Sequence, residues 1–192
     1  MRRRRAALAS HEGDIATARA LLDDPDGQVR ATALGAVARL GAATRADVQR
    51  ALGDAAPVVR RRACEVAVVL GAGDVRPLLD DADTSVVETA AWALGEGGEA
   101  TDAVVDALAR TAADHADPLC REAAVAALGA LGNERGLPTI LAATGDKPAV
   151  RRRAVIALAP FDGPDVEAAL RRALSDRDRQ VRQAAEDLLN PS

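Results

Sequence analysis

The chain has 192 residues, a formal net charge of −4 and an aromatic content of only 1%. One Trp, one Phe and no Tyr exclude a core built around large rings, so the interior must be assembled from Ala, Val, Leu and Ile at close helix spacing. The acidic balance excludes an overall basic field that would attract nucleic acid or an anionic membrane, so any basic site must be local.

The cysteines and the N-terminus bear on the compartment. Cys64 and Cys120 are too few and too far apart for a disulfide framework or a metal knuckle, and they agree with a reducing cytosol. The start, "MRRRRAALASHEGD", has a positive run without a usable apolar h-region, and charges interrupt every apolar run before it reaches the roughly 20 residues that span a bilayer. We therefore expect a soluble cytoplasmic protein in which Arg2 to Arg5 form a solvated helix start.

In chain order, the first predicted element is a partial helix over residues 1–10, which we expect to cover the N-terminal end of the array. Six repeats follow, and each has a short helix A, a turn containing Asp and a longer helix B. The A patterns are "DIATARALL", "ADVQRAL", "DVRPLL", "DAVVDALART", "RGLPTILAA" and "DVEAALRRAL". The predicted repeats of this single domain occupy residues 11–41, 42–71, 72–98, 99–132, 133–163 and 164–192.

Helix B carries the repeat signature. Its six copies read "VRATALGAVARLG", "VRRRACEVAVVLG", "VVETAAWALGEGG", "CREAAVAALGALG", "VRRRAVIALAPFD" and "VRQAAEDLLN". Their first residues, here called anchors, are separated by 30, 27, 34, 30 and 31 residues. A period of this size predicts a solenoid, in which each hairpin buries its apolar faces against its neighbours. The anchors are Val29, Val59, Val86, Cys120, Val150 and Val181.

Positions within helix B are numbered as offsets from the anchor. Offset four is always Ala, and the offsets 0, 4, 7, 8 and 11 trace one stripe of a helix with 3.6 residues per turn. The small residue at offset four lets a neighbouring helix approach closely. At offset five the sixth copy has Glu186 where the others are apolar, which predicts a terminal cap. Helix starts are predicted at Asp26, Pro57, Asp83, Asp117-Pro118, Pro148 and Asp178, and glycine ends at Gly41, Gly71, Gly98 and Gly132.

The segment from Asp24 to Gly41, "DPDGQVRATALGAVARLG", closely resembles the HEAT-like repeat consensus, in the short bacterial variety also found in phycobilisome lyases. The resemblance covers essentially the whole chain. It implies an all-α fold, a right-handed α-solenoid of the armadillo/HEAT type, with A helices on the convex side and B helices on the concave side.

The resemblance also implies a polar ladder, in which an Asp in the turn and an Arg after the anchor join neighbouring repeats. The matching residues are Asp24, Asp54, Asp81 and Asp176, with Arg30, Arg60, Arg121, Arg151 and Arg182. Repeat three departs with Val87 in the arginine place, and repeats four and five depart with His115 and Gly145 in the aspartate place. These departures put the ladder in doubt through the middle of the array.

The sequence offers no constellation of residues typical of catalysis. His115 and Cys120 are five residues apart across a helix start, which is no zinc pair on its own, and we interpret them as a turn histidine and a packed cysteine. "GAGD" at 71–74 and "GEGGE" at 95–99 lack the strand and lysine of a phosphate loop and are predicted to be turns. We therefore predict no catalytic residue, cofactor or metal, and expect a protein that is not an enzyme.

Offsets two, three and six point away from the buried stripe and are the candidate binding positions. With helices roughly 8 to 10 Å apart, two arginine clusters would stand about 30 Å from one another, with Trp92 between them in a groove lined by Arg62, Trp92 and Arg153. An exposed Trp flanked by charge is typical of a hot spot. The alternatives are that the arginines are a solvated face and that Trp92 fills space left by alanines. The predicted partner-binding residues are Arg61, Arg62, Glu65, Glu88, Trp92, Arg152, Arg153 and Ile156.

Three functions compete. The leading hypothesis is a non-catalytic scaffold or adaptor that grips a protein or peptide along its concave side. The second is nucleic-acid binding, including a resemblance to HEAT-like alkylpurine DNA glycosylases, but base handling needs stacking aromatics and only Trp92 is available. The third is a bilin lyase or isomerase component, suggested only by the repeat family, and no aromatic or histidine cluster could line its chromophore pocket. No membrane partner is expected, and the oligomeric state is not predicted.

Overall fold

The structure, a computed structural model, describes residues 1–97 and 100–190, and all regular secondary structure in these ranges is helical. Short 3₁₀ segments lie at Leu21–Asp23, Arg76–Asp80 and Glu134–Gly136. None of the helices in the described ranges is long and apolar enough to cross a membrane. The α-helices are α1 Arg2–Glu12, α2 Ile15–Ala20, α3 Gly27–Arg39, α4 Arg45–Leu52, α5 Pro57–Leu70, α6 Thr84–Gly97, α7 Asp102–Asp114, α8 Pro118–Leu131, α9 Leu137–Ala143, α10 Pro148–Ala157, α11 Pro164–Ala173 and α12 Arg179–Leu189.

The residues form two compact units, Met1–Ala93 and Leu94–Ser192, and the boundary between them falls within α6. In the first unit, the B helix α3 packs against α1 on one side and α5 on the other. In the second unit, α8 packs against α10, which packs against α12. The predicted order of A and B helices is present, and α1 takes the place of a B helix, as the sequence predicts.

Repeat three differs from the prediction in its helix A. The pattern "DVRPLL" forms only the 3₁₀ segment Arg76–Asp80 rather than an α-helix. This repeat is short, and Gly73 at φ +96° and Pro77 leave no room for a run of α-helical hydrogen bonds before the turn at Asp81.

The predicted core stripe is confirmed at offsets 0 and 4, whereas the leucines at offset 11, Leu40, Leu70 and Leu131, are only half-buried. All six offset-four alanines have an exposed fraction of 0%, and the anchors are at most 2% exposed. Glu186 at offset five of α12 is exposed, whereas the apolar residues at this offset in the other five copies are buried. Small side chains therefore lie where B helices meet. The six alanines are Ala33, Ala63, Ala90, Ala124, Ala154 and Ala185.

The helix ends also follow the sequence. Asp26, Asp117 and Asp178 are N-caps whose carboxylates accept backbone N–H groups two residues ahead, at 2.8 to 2.9 Å. Asp83 does the same at 3.0 Å, while Pro57 and Pro148 occupy the first turn of their helices. Gly41, Gly71 and Gly132 end helices with φ between +57° and +66°, and Gly98 lies outside the described residues.

Two glycines at offset nine of helix B have a packing role that the sequence analysis did not predict. The stretch "GEGGE" is not a turn where it is described, because α6 continues through Gly97. A Cβ at Gly95 would lie 2.9 Å from Cα of Ala127, and a Cβ at Gly129 would lie 2.7 Å from Cα of Ala157. Backbones thus approach too closely for any side chain.

We predict that Gly129→Ala destabilises the second unit by about 1 to 3 kcal/mol, because the new methyl would overlap the backbone of Ala157. The effect has the opposite sign to helix propensity, which favours Ala over Gly by about 1 kcal/mol. Urea denaturation followed by circular dichroism measures it. Gly145→Ala is the control, since the nearest atom to its Cβ is 3.5 Å away. Equal stability of wild type and Gly129→Ala would contradict the close approach.

Arginines at offset one form the ladder. Arg30 donates from Nε and Nη2 to the carboxylate of Asp54 at 2.8 and 2.6 Å, while its Nη1 donates to the carbonyl of Asp24 in its own turn. The arginine hydrogen bond holds the pKa of the Asp54 carboxyl below its ordinary value. Each such guanidinium therefore fixes both its own turn and the next one. The same bidentate pairs join Arg60 to Asp81, Arg121 to Asp146 and Arg151 to Asp176.

The assignment of Gly145 to the ladder was wrong, because Asp146 occupies that place. This turn is one residue shorter: the Asp146 carboxylate accepts the N–H of Lys147, whereas Asp54 accepts that of Ala56 two residues ahead. The Arg121–Asp146 pair is therefore present, and the ladder continues through repeats four to six.

His115 and Val87 are true departures. The Nδ1 atom of His115 accepts the N–H of Asp117 at 3.1 Å, as the carboxylate oxygen does in other turns, and the His115 carbonyl accepts from Arg121. Val87 is fully buried, so repeat three has a buried apolar side chain in the place of the ladder arginine. The interpretation of His115 as a turn residue is confirmed.

We predict that Arg121→Ala destabilises the protein by about 2 kcal/mol at neutral pH, since Asp146 would lose two charge-assisted hydrogen bonds. The pKa of the Asp146 carboxyl is held below the ordinary aspartate value of 3.8, chiefly by the hydrogen bond from Arg121. The stabilisation is therefore complete above pH 3.8 and is lost as the pH falls through the lowered value in the folded protein.

The difference in unfolding free energy between wild type and Arg121→Ala should accordingly shrink in acid. Urea denaturation at a series of pH values measures this. The control is Arg171→Ala, which breaks an exposed pair with Glu167 in the same unit and should cost about 0.5 kcal/mol or less. Equal effects of the two substitutions would show that the ladder adds nothing beyond a surface ion pair.

Candidate functional site

The B-helix face consists of offsets two, three and six of the B helices, and each of the two units has its own part of it. In the first unit, the side chain of Arg62 lies across Gly35 of the preceding B helix, with its Cδ and Nε 3.5 Å from where a Gly35 Cβ would stand. Arg62 forms an ion pair with Glu65, one turn along α5. Arg61 is exposed. The Arg62 side chain therefore packs over Gly35, whereas Arg61 is exposed to solvent.

Trp92 lies on α6 in the same unit, with 44% of its surface exposed. The neighbouring stripe residues Val86 and Ala90 are fully buried, whereas much of the indole is not. Glu88, one turn earlier at offset two, is partly buried. The indole therefore offers a large apolar surface to solvent at a position that the core does not use.

In the second unit, one carboxylate serves two arginines. Glu122 of α8 lies 3.8 Å from Nη2 of Arg152 and 3.5 Å from Nη2 of Arg153, both on α10. Arg152 also donates to Oε1 of Gln180 at 3.1 Å. Ile156, one turn further along α10, is 43% exposed. The cluster carries a surplus positive charge beside an apolar side chain.

Three arginine Nε atoms on these faces are covered and have no hydrogen-bond partner among the described residues: those of Arg62, Arg152 and Arg153. Burying an N–H donor without an acceptor costs free energy, so hydrogen bonds from Nε do not account for the positions of these side chains. They are held by packing and by their Nη contacts, with the guanidinium tips left to face outward.

Each predicted residue therefore has a definite place. Arg61, Arg62, Glu65, Glu88 and Trp92 lie in the first unit, and the remaining three in the second. That Arg62, Trp92 and Arg153 line one groove stays a prediction. Sequence reasoning missed two further residues near the B-helix face. Gln180 accepts a hydrogen bond from Arg152, and the guanidinium group of Arg39 lies beside Gly35. Gln180 precedes the anchor of its helix and Arg39 stands at offset ten, so the offset rule passed over both.

The two cysteine side chains are part of the core. Cys64 and Cys120 are fully buried thiols without a disulfide, and burial raises the pKa of Cys64 to about 12. A thiol with this pKa is not a nucleophile at neutral pH. Within residues 1–97 and 100–190, no group of three or more His, Cys, Asp or Glu side chains could hold a metal ion.

Residues 74–149 and 137–190 match the family model for HEAT repeats, and the two matches together span more than half of the chain. The chain belongs to the HEAT repeat family. This confirms the resemblance seen in the B helices. No match was found among curated proteins.

Solved structures resemble this HEAT repeat chain over most of its length. A designed armadillo repeat protein, YIII(Dq.V1)4CPAF in complex with the peptide (KR)4, is 19% identical with a TM-score of 0.65, covering 92% of this chain and 98% of its own. The Escherichia coli protein YibA is 18% identical with a TM-score of 0.64, covering 94% and 72%. Human deoxyhypusine hydroxylase in complex with glycerol is 21% identical with a TM-score of 0.52, covering 98% and 77%. Identities this low show the fold alone, and they confirm an all-α repeat solenoid of the armadillo/HEAT type.

We predict that neither native thiol reacts with a thiol reagent such as DTNB until the HEAT repeats unfold, because both sulfur atoms are covered and Cys64 resists ionisation. Absorbance at neutral pH with and without denaturant measures the reaction. Ala130→Cys is the control, since its thiol would stand on an exposed position of α8 and react at once. Rapid labelling of Cys64 in the native protein would reopen its assignment as a core residue.

Proposed function

We propose that this HEAT repeat chain is a non-catalytic scaffold or adaptor that binds a protein or peptide through its B-helix face. The observation that carries the proposal is the exposure of Trp92 and Ile156, 44% and 43%, on the B helices α6 and α10, where Ile156 lies about one turn from Arg152 and Arg153. Large apolar side chains exposed next to guanidinium groups are the usual composition of an interface hot spot.

The arginines on this face are partly preorganised. Glu65 holds Arg62, while Glu122 and Gln180 hold the guanidinium groups of α10. A side chain already restrained loses less rotamer entropy when a partner binds, so more of the contact energy appears as affinity. The remaining Nη protons can then donate to carboxylate or carbonyl oxygens of a partner.

The structural neighbours support a peptide or protein ligand for this architecture. The designed armadillo repeat protein of the comparison was solved in complex with the peptide (KR)4, so a solenoid of similar fold can bind a peptide. The B-helix face of the present chain carries arginines, which would repel a basic peptide such as (KR)4, so its proposed ligand is not basic.

We further propose that the chain has no catalytic activity, despite a fold shared with deoxyhypusine hydroxylase. The raised pKa of Cys64 and the use of the His115 Nδ1 atom in its turn support this, because both side chains serve the fold. The reduced state of the two buried cysteines accords with the cytoplasm as the compartment.

We predict that peptides selected from a random display library on the wild-type protein bind Trp92→Ala at least about tenfold more weakly, which is the loss expected of a hot-spot side chain. Fluorescence anisotropy of the selected peptides measures the affinity. Val69→Ala is the matched control, since Val69 is 73% exposed on the B helix α5 but lies outside the proposed face.

The charge variants Arg62→Glu and Arg153→Glu extend the test to both units. Peptides that bind wild type, Trp92→Ala and both charge variants equally well would show that the B-helix face is not the binding surface. Circular dichroism of each variant confirms that it is folded.

A further inference from the structure

A groove in the first unit is lined by four arginines that the binding-face prediction did not bring together. It has a volume of about 450 Å³, within the range of ligand-binding clefts. Its lining comes from three consecutive B-type helices: α1, α3 and α5. We call it the arginine groove, and its lining residues are Arg3, Arg4, Ala7, Thr32, Gly35, Arg39 and Arg62.

The charge of the arginine groove is largely uncompensated. The side chains of Arg3 and Arg4 have no hydrogen bond or ion pair within the described part of the chain. Arg39 donates its Nε to the hydroxyl of Ser10 at 2.9 Å, which leaves its charge unpaired. Only Arg62 has an acidic partner, Glu65, and that carboxylate does not line the groove. Four arginine side chains thus line a groove that no acidic side chain lines.

Arg2 to Arg5 are exposed at the start of α1, as the sequence predicts. Arg2 reaches the buried carboxylate of Asp24 at 3.4 Å, in the manner of the ladder, while Arg3 and Arg4 line the groove. Like charges held near one another raise the free energy of the folded chain, and a ligand that neutralises them recovers it. This is the physical basis for expecting an anionic occupant.

The floor of the groove decides what kind of anion fits. Ala7 and Gly35 leave a low, apolar base between the arginines, and a Cβ at Gly35 would already stand 3.4 Å from an Arg39 Nη atom. Consecutive helices lie roughly 8 to 10 Å apart. An extended peptide in the polyproline II conformation has about three residues per turn and advances about 3.1 Å per residue, so acidic side chains at every third position lie on one side, about 9 Å apart, and would meet arginines of successive helices. Guanidinium groups bind carboxylates with two parallel hydrogen bonds.

We propose that the arginine groove binds an extended acidic peptide segment, with Asp or Glu side chains paired to Arg3, Arg4, Arg39 and Arg62. This inference rests on the proposed function and names the chemistry of the partner in the first unit. A nucleic acid fits less well, because no aromatic side chain lines the groove to stack a base.

The test uses the full chain and a fluorescein-labelled peptide with Glu at every third position, followed by anisotropy at low salt. The expected result is saturable binding that weakens as salt is added, and no binding of the peptide in which every Glu is replaced by Gln. The variant Arg3→Glu/Arg4→Glu/Arg39→Glu should bind at least about tenfold more weakly. These side chains are exposed, so the variant should fold, and circular dichroism checks this.

A control of equal charge change is Arg45→Glu/Arg110→Glu/Arg172→Glu, three exposed A-helix arginines outside the groove. It should bind nearly as tightly as wild type, and an equal loss in both triple variants would overturn the site in favour of non-specific charge attraction. A single-stranded oligonucleotide of the same charge that bound as tightly as the Glu peptide would overturn the choice of an acidic peptide.

The result also separates this inference from the proposed function. If the Glu peptide does not bind but library peptides bind through Trp92, the groove assignment fails and the scaffold function stands. If library peptides ignore Trp92 but the Glu peptide binds through the arginine groove, the reverse holds.

Discussion

The close approach of neighbouring B helices is the constraint on which the other features depend. A chain with almost no aromatic residues can fill its interior only if helix backbones come near to one another. Fully buried alanines at offset four permit this close approach of the helix backbones. At Gly129 the distance is so short that a Cβ would overlap Ala157. Stability then arises from many short contacts between adjacent helices rather than from one large core.

The ladder of arginines and aspartates solves the polar side of the same problem. Each turn between helix A and helix B exposes carbonyls that must be satisfied near a packed interface. Arg30 bonds the carbonyl of its own turn and the carboxylate of Asp54 in the next, so one side chain fixes both the turn and the distance between repeats. His115 shows that the turn tolerates another acceptor in place of the carboxylate, provided it can take the N–H two residues ahead.

Because folding is secured by the stripe and the ladder, the outward offsets of helix B are not needed for the core, and we propose that they serve recognition. Trp92 and Ile156 are exposed there, and Gly35 leaves the space that the Arg62 side chain occupies. The same small residues that let helices pack closely also create shallow grooves between long side chains. The helix packing and the proposed binding surface thus both follow from the small size of these residues.

The sequence by itself determined the repeat period, the helix starts at residues such as Asp26 and Pro57, and the buried face with Ala33, because these depend on residues close together along the chain. It did not determine that Asp146 rather than Gly145 completes a rung, since that depends on the length of one turn in space. Nor could spacing reveal the arginine groove, whose members come from three helices and meet only when those helices stack. Local periodicity fixes which face of a helix is buried, but only tertiary packing decides which distant charges become neighbours.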